Sequence, residues 1–277
     1  LKIIKLLIIV LILLTAIDVR HADAAEKMSK DKNSCLALNY HRVRQGNLLD
    51  TLLMIFSNSK ELKNYSVTNK ELGQQLKWLK EQDANFVTLD EFTKYKKAGK
   101  FPAKCVWINF DDMDSSIYKY GQPVLKEYNV PATGFVITGE VGNDNFHNLQ
   151  MSDTEELKKM KDSGLWTFAT HTNKLHTLTK EGSIFVKPEN RSKVQVDIQK
   201  SIDYLHREFN EDVTAIAYPY GQINDETIDE LKQTPIKYGF TLQEQSVTKK
   251  TDNMKIPRIL VNNSSFEEVV KKWEGFK

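Results

Sequence analysis

Val106-Trp107-Ile108-Asn109-Phe110-Asp111-Asp112-Met113-Asp114 carries five strand-type residues, apolar but for Asn109, straight into adjacent carboxylates. The first half reads as a strand buried on both faces, as in a parallel sheet or barrel. Alternation points Asp111 and Asp112 to opposite sides, but a turn at the strand end can bring both into one mouth. Barrels keep their chemistry at the C-terminal ends of their strands, so these acids are site candidates. A helix N-cap at Asp114 or Ser115 accounts for one acid near Ser115, not for three within four positions.

Other strands end in the same way. Leu36-Ala37-Leu38-Asn39-Tyr40 runs into His41, Trp166 to Thr170 runs into His171, and Thr214 to Tyr218 runs into Pro219-Tyr220-Gly221. A further strand from Ile256 to Val261 carries Arg258, and strands are also expected at Asn85 to Leu89, Thr133 to Ile137 and Tyr238 to Leu242. Thr68-Asn69-Lys70-Glu71 and Ser152-Asp153-Thr154-Glu155 read as capping boxes that open helices. Leu72, Leu76 and Leu79 form one apolar stripe on the first of these helices. Asp90 opens a helix to about Lys97, and others are expected at 115–128, 192–208, 224–233 and from Ser265. The polar stretch Arg42 to Tyr65 is expected to form a lip over the site, and loop 139–150 lies on the same side as the acids. Strands alternating with helices, without repeat or linker, predict one α/β domain: a (β/α) barrel or a doubly wound sheet.

Residues 1–24 stand apart from that domain. Lys2 and Lys5 precede an apolar run from Leu6 to Ile17, and Ala22-Asp23-Ala24 fits a small-x-small cleavage site. This predicts a secretory signal peptide with residues 25–277 as the mature domain. A dozen apolar residues fall short of the roughly 20 that a membrane span needs. The formal charge is +2; the leader takes three cations and two anions with it, leaving +1. So even a balance gives no case for nucleic acid and fits a neutral or weakly charged substrate. Cys35 and Cys105 each lie six residues before a candidate site residue. We expect two buried, unpaired thiols; a disulfide requires their strands to be parallel neighbours in register.

Six histidines are present. His21 falls in the leader, His206 lies on a charged helix and His147 in an Asn-rich loop, and both of these are expected to be exposed. The five-residue spacing in His171-Thr172-Asn173-Lys174-Leu175-His176 is wrong for one helix face but feasible on a turn leaving a strand. Two imidazoles and one carboxylate make a metal-ligand set with positions left for water or substrate. Taken alone this spacing is a weak signal, and His41 alone reads as a core histidine.

Together these residues resemble the motifs of the polysaccharide deacetylases of the NodB-homology type, carbohydrate esterase family 4. Asn109-Phe110-Asp111-Asp112 resembles the first motif, His171-Thr172 through His176 the second, and Tyr218-Pro219-Tyr220-Gly221 the third. The likeness extends over the mature chain to the branch of biofilm poly-β-1,6-N-acetyl-D-glucosamine N-deacetylases. In that branch the motif order is circularly permuted, with the late histidine supplied by an early Tyr-His-Arg-Val, here Tyr40-His41-Arg42-Val43.

The resemblance implies a single distorted (β/α)7-type barrel and one divalent metal ion. His and carboxylate ligands suit zinc, with nickel, cobalt or iron also compatible. It implies that Asp111 is the general base, His41 the general acid, and Asp112, His171 and His176 the metal ligands. Tyr220 is implied as an oxyanion donor through its backbone N–H, with Pro219, Tyr218 and Asn109 as neighbours on the substrate side. Many family members carry an Arg where this chain has Ala217, and Arg258 is the expected substitute. The implied partner is an extracellular N-acetylglucosamine polymer, met by a secreted or cell-surface monomer, with peripheral attachment to the cell surface or membrane open. Two other readings compete. A glycosidase could use Asp111 and Asp112, but such pairs flank a glycosidic bond at about 5–9.5 Å, and the histidines would go unexplained. A non-catalytic glycan binder could stack sugars on Trp107, Trp166, Tyr218 and Tyr220, though aromatics at strand positions are more often core.

Overall fold

A computed structural model describes Met28, residues 31–47 and residues 64–277. The expected leader, and residues 48–63 of the expected lip, lie outside the described residues. In chain order the elements are β1 (Cys35–Tyr40), β2 (Arg42–Arg44), β3 (Ser66–Thr68), α1 (Asn69–Glu81), β4 (Asn85–Phe86), α2 (Leu89–Ala98) and β5 (Cys105–Phe110). Next come α3 (Gln122–Tyr128), β6 (Ala132–Val136), α4 (Thr154–Asp162), β7 (Trp166–Thr170), the hairpin β8 (Leu178–Thr179) and β9 (Gly182–Ser183), and α5 (Val194–Phe209). The chain ends with β10 (Ala215–Ala217), α6 (Asp225–Leu231), β11 (Tyr238–Phe240), β12 (Ile259–Leu260) and a short α7 (Asn263–Ser265).

Seven parallel strands run in the order β11-β10-β7-β6-β5-β1-β12, with β4 pairing on the first half of β5. The segment leading into β12 bonds to the far edge. Ile256 N–H donates to Gly239 O at 2.9 Å, and Thr241 N–H donates to Ile256 O at 2.8 Å. The sheet therefore curls on itself and closes through its last strand, which is the distorted (β/α)7 barrel implied by the motifs. The first described strand sits between β5 and β12, so the earliest and the latest described strands are neighbours in the sheet.

Alternation sorts β1 and β5 into two faces. Leu36, Leu38, Tyr40, Val106, Ile108 and Phe110 face outward into the layer of helices. There α1 delivers Leu72, Leu76 and Leu79, all fully buried, each worth about 1.5–3 kcal/mol of apolar burial. Its Thr68 cap and Glu71 form the expected reciprocal box. The other parity faces the barrel interior and builds it in layers. Cys35 and Cys105 are at the floor, Trp107 packs above them among Phe92, Phe135 and Phe240, and Asn39 and Asn109 come next, paired across the strands. Asp111 follows two residues above Asn109.

That register corrects the expectation of free thiols. Cys35 lies directly opposite Cys105, their Cα atoms are 4.6 Å apart, and the sulfurs are bonded. Local boundaries also move. Asp153, not Ser152, caps α4, because its carboxylate accepts the Glu156 N–H at 2.7 Å. The Asn85 strand stops at Phe86, and Thr88 with Glu91 forms a capping box for α2. The helix expected at 115–128 begins as a π turn, Ile117–Gly121, and only then becomes α3. The C-terminal helix likewise passes into a π turn, Phe266–Val270.

Candidate metal centre and active site

Three strand ends meet at the C-terminal mouth of the barrel, and each turns through a left-handed residue that is not glycine. After β5 these are Asp112 at φ 65° and Met113 at φ 62°, after β7 Thr172 at φ 72°, and after β10 Tyr220 at φ 59°. Such backbone costs about 1–3 kcal/mol per residue and concentrates at functional sites; for a β-branched Thr it is a clear outlier. The kink explains how neighbours that alternation would separate come to share one mouth. Asp111 still follows the inward parity of β5, its N–H bonded to Tyr40 O at 3.0 Å. Asp112 is swung round beside it.

Asp112, His171 and His176 converge. Asp112 Oδ1 lies 3.4 Å from the Nε2 of each histidine, and the two Nε2 atoms are 3.0 Å apart. Nitrogen ligands at about 2.0–2.1 Å on a tetrahedral ion would stand about 3.3 Å from each other. Asp112 Oδ1 is buried with no hydrogen-bond donor in good geometry among the described residues. His171 Nδ1 donates to Ala217 O at 2.8 Å, which leaves Nε2 facing inward, the usual arrangement of a ligating imidazole. The donor set thus fits a divalent cation. Electrostatics agree. Burial would raise the Asp112 carboxyl, but pairing with His171 and His176 holds it far below the usual carboxylate range. Burial, helped by His171, pushes His176 down to about 4, so it offers a lone pair at neutral pH. Burial also opposes a charge on His171, but Asp111 and Asp112 outweigh it and raise that group; a bound cation would have to displace this proton.

Asp111 is clamped from behind. Arg258 Nη1 donates to Oδ1 at 2.6 Å and Nη2 to Oδ2 at 2.8 Å. The guanidinium is fully buried, lies 5.2 Å over the Phe135 ring, and also donates to Asn109 Oδ1 and Thr241 O. Burial would raise Asp111, but Arg258 and then His171 keep it below the usual carboxylate range. Its Oδ2 also stands 3.8 Å from His41 Nε2 and 3.9 Å from His171 Nε2, between His41 and the candidate metal-binding set. His41 packs edge-on against Tyr65, ring centroids 4.9 Å apart. Burial lowers its pKa, with Asp111 and Asp112 opposing.

A cleft of about 620 Å³ opens over these groups, lined by His41, Arg42, Tyr65, Asp111, Asp112, His171, His176 and Tyr220. Its far wall is the turn Phe146-His147-Asn148-Leu149, closed by bonds in both directions between Phe146 and Leu149. His147 is exposed, as expected, yet it lines the cleft. The remaining candidates behave differently. Tyr220 reaches the cleft, its ring 4.8 Å from that of His176. Tyr218 and Pro219 are buried away from it. Tyr218 hydroxyl donates to Met254 O at 2.9 Å, over a Gly239 whose Cβ would sit 1.8 Å from that hydroxyl. Asn109 is fully buried behind Asp111, where it braces Arg258. It does not line the cleft, because its parity places it one layer below Asp111. Tyr65, Phe146 and Asn39 were not singled out from the sequence. For Asn39 a signal existed: Cys35 to Asn39 and Cys105 to Asn109 have the same spacing.

Comparison with known proteins follows the same lines. A family model described as polysaccharide deacetylase matches residues 98–239. The chain is 47% identical over 282 residues to the poly-β-1,6-N-acetyl-D-glucosamine N-deacetylase of Staphylococcus aureus, covering 99% of this chain and 97% of that one. It is 48% identical over 274 residues to the Staphylococcus epidermidis protein of the same name, covering 97% and 95%. The solved structure of IcaB from Ammonifex degensii superimposes with a TM-score of 0.74 at 28% identity, covering 88% of this chain and 97% of that chain.

Proposed function

The chain belongs to the polysaccharide deacetylase family, and on that premise we propose that it hydrolyses the N-acetyl groups of extracellular poly-β-1,6-N-acetyl-D-glucosamine, releasing acetate. The observation that carries the reading is one mouth holding a two-imidazole, one-carboxylate set beside an arginine-clamped Asp111 and a histidine on its far side.

Asp112, His171 and His176 would hold one divalent cation, with zinc the best match to the donors and nickel, cobalt or iron compatible. When bound, such an ion lowers the pKa of water and polarises the acetamide carbonyl, the two things a poor electrophile and a poor nucleophile most need. The chain's own residues do the rest. Asp111, held ionised and oriented by Arg258, accepts the proton of the attacking water through Oδ2. Tyr220 contributes its backbone N–H to the developing oxyanion, a donor of a kind worth roughly 2.7–4 kcal/mol when removed. His41 delivers a proton to the departing amine, for which an imidazole is suited. Burial holds the His41 pKa below its ordinary value, and the proton it passes to the amine is the one Asp111 has taken from the attacking water, 3.8 Å from Oδ2 to Nε2. Tyr65, Phe146 and His147 offer ring faces and edges to the sugars on either side of the reacting residue.

The product carries free amines, and a polymer made cationic in this way is held to anionic cell surfaces, which supports a role in biofilm formation. A disulfide at the barrel floor supports an oxidising compartment outside the cytosol. No described helix is long and apolar enough to cross a membrane. The glycosidase reading fares worse: both carboxyls are held below the usual range, so neither keeps the proton that a glycosidase's acid must give, and the two imidazoles beside Asp112 would have no task. The test is acetate release from synthetic β-1,6-linked and β-1,4-linked N-acetylglucosamine oligomers, with added zinc and with a chelator. Acetate release from the β-1,6 series, lost on chelation, with no new reducing ends, is the expected result. New reducing ends without acetate would overturn the proposal.

A further inference from the structure

His171 and His176 reach the cation position by different means. His171 closes β7 and is fixed by its own Nδ1 bond to Ala217 O, 2.8 Å. His176 has no such anchor on another residue, since no described neighbour bonds its buried Nδ1 in good geometry and only its own backbone comes near. Ring contacts with Tyr220 and Phe146 limit its tilt, but its position follows the backbone that leads to it. That backbone, Thr172 to Lys174, passes through the left-handed, fully buried Thr172, a conformation that persists only where the surroundings enforce it.

The enforcement comes from two sides. From the turn after β6, Thr138 N–H donates to Thr172 O at 3.1 Å and Gly139 N–H to Asn173 O at 3.0 Å. A Cβ at Gly139 would fall 2.5 Å from that same oxygen, so only glycine permits the approach. From the opposite side comes a single carboxylate. Asp197, in the first turn of α5, accepts the Asn173 N–H at Oδ2 and the Lys174 N–H at Oδ1, both at 2.8 Å. It is 7% exposed and spends both oxygens on this turn rather than on its own helix. Two parallel charge-assisted bonds fix the plane of a turn as one could not.

We propose that Asp197 is the positioning residue that sets the reach of His176 toward His171 and Asp112, and with it the affinity of the site for a divalent cation. This rests on the metal reading above. It places the control of the metal centre on α5, one layer outside the barrel.

The test is zinc affinity of the whole chain, measured by competition with a chromophoric chelator. Asp197→Ala is expected to bind zinc about 10–100-fold more weakly than the parent. Asp197→Asn keeps one acceptor and is expected to fall between the two. The visible absorption of the cobalt-loaded protein should weaken in the same order, reporting distorted coordination rather than lost stability. Asp153→Ala, which removes the cap of α4, should lower the melting temperature and leave zinc affinity unchanged. Parent-like zinc affinity in Asp197→Ala would overturn the proposal, and if that variant does not fold, parent-like affinity in Asp197→Asn would do so. A parent chain that binds no divalent cation would overturn the metal reading itself, which distinguishes the two failures.

Discussion

Arg258→Met removes the charge that Asp111 is built around. Arg258 is fully buried and Asp111 is 2% exposed, with two bonds of 2.6 and 2.8 Å between them. Breaking such a pair from one side leaves a nearly buried carboxylate without its two-pronged counter-charge, at a cost of about 3–5 kcal/mol. That is a large share of the roughly 5–15 kcal/mol that holds a typical domain. The double variant Arg258→Met with Asp111→Asn leaves no stranded charge, and should recover most of the loss. The pH dependence has a definite sign. In the parent the Asp111 pKa is lowered, so its contribution is present above the ordinary carboxylate value and fades as pH falls through the folded one. In Arg258→Met the pKa is raised instead, and stability should recover as acidification lets the folded state take up the proton. Arg258→Lys should not rescue, because one ammonium cannot reproduce a two-pronged contact. The assay is urea unfolding of the three variants and the parent at neutral and mildly acidic pH, at one fixed zinc concentration. Equal stability of the single and double variants at neutral pH would refute the reasoning.

His41→Gln should lower acetate release about 10²–10⁴-fold while zinc content stays at the parent level; full activity would remove His41 from the reaction. The disulfide joins residues 70 apart in sequence, which the chain-entropy argument values at about 4 kcal/mol. Replacing both Cys35 and Cys105 with Ala should therefore shift the urea midpoint strongly downward, and an unchanged midpoint would refute that figure. The Lys96 amine donates to Thr251 O, and burial lowers its pKa. Its folded form sheds the proton first, so stability should climb as pH rises from the lowered value toward the ordinary lysine range. Lys96→Met should lack that climb in melting curves taken between neutral and strongly alkaline pH.

Much of the site was legible because strand ends announce themselves. His41, Asp111 and His171 each terminate an apolar run, and their convergence follows from parallel strands sharing one mouth. Asp112 was legible as a residue but not as a position, since alternation alone sends it away from Asp111 and only the left-handed backbone brings it back. The disulfide depends on register, which no single strand contains; the matched spacing of Cys35 to Asn39 and Cys105 to Asn109 was the available clue. Arg258 could be named as the substitute for the arginine absent at Ala217, but its forked contact with Asp111 depends on how β12 closes the ring. Tyr218, Pro219 and Asn109 share motifs with site residues and face elsewhere, because a motif records neighbours in sequence while parity decides which face each side chain takes. Asp197 had no local signal at all. An acid in a first helical turn is usually a helix-dipole partner, and its link to Asn173 and Lys174 exists only in three dimensions.

The latest described strand, which closes the ring, pairs with the earliest on its other side, with His41 beyond one and Arg258 just before the other. A polypeptide emerging from the ribosome presents the histidine first and the guanidinium more than two hundred residues later. Until that final span arrives, Asp111 has no counter-ion and β1 has an open flank. A chain that stops short of Arg258 is thus unable to complete the clamp on Asp111, and the order of synthesis leaves that contact until late.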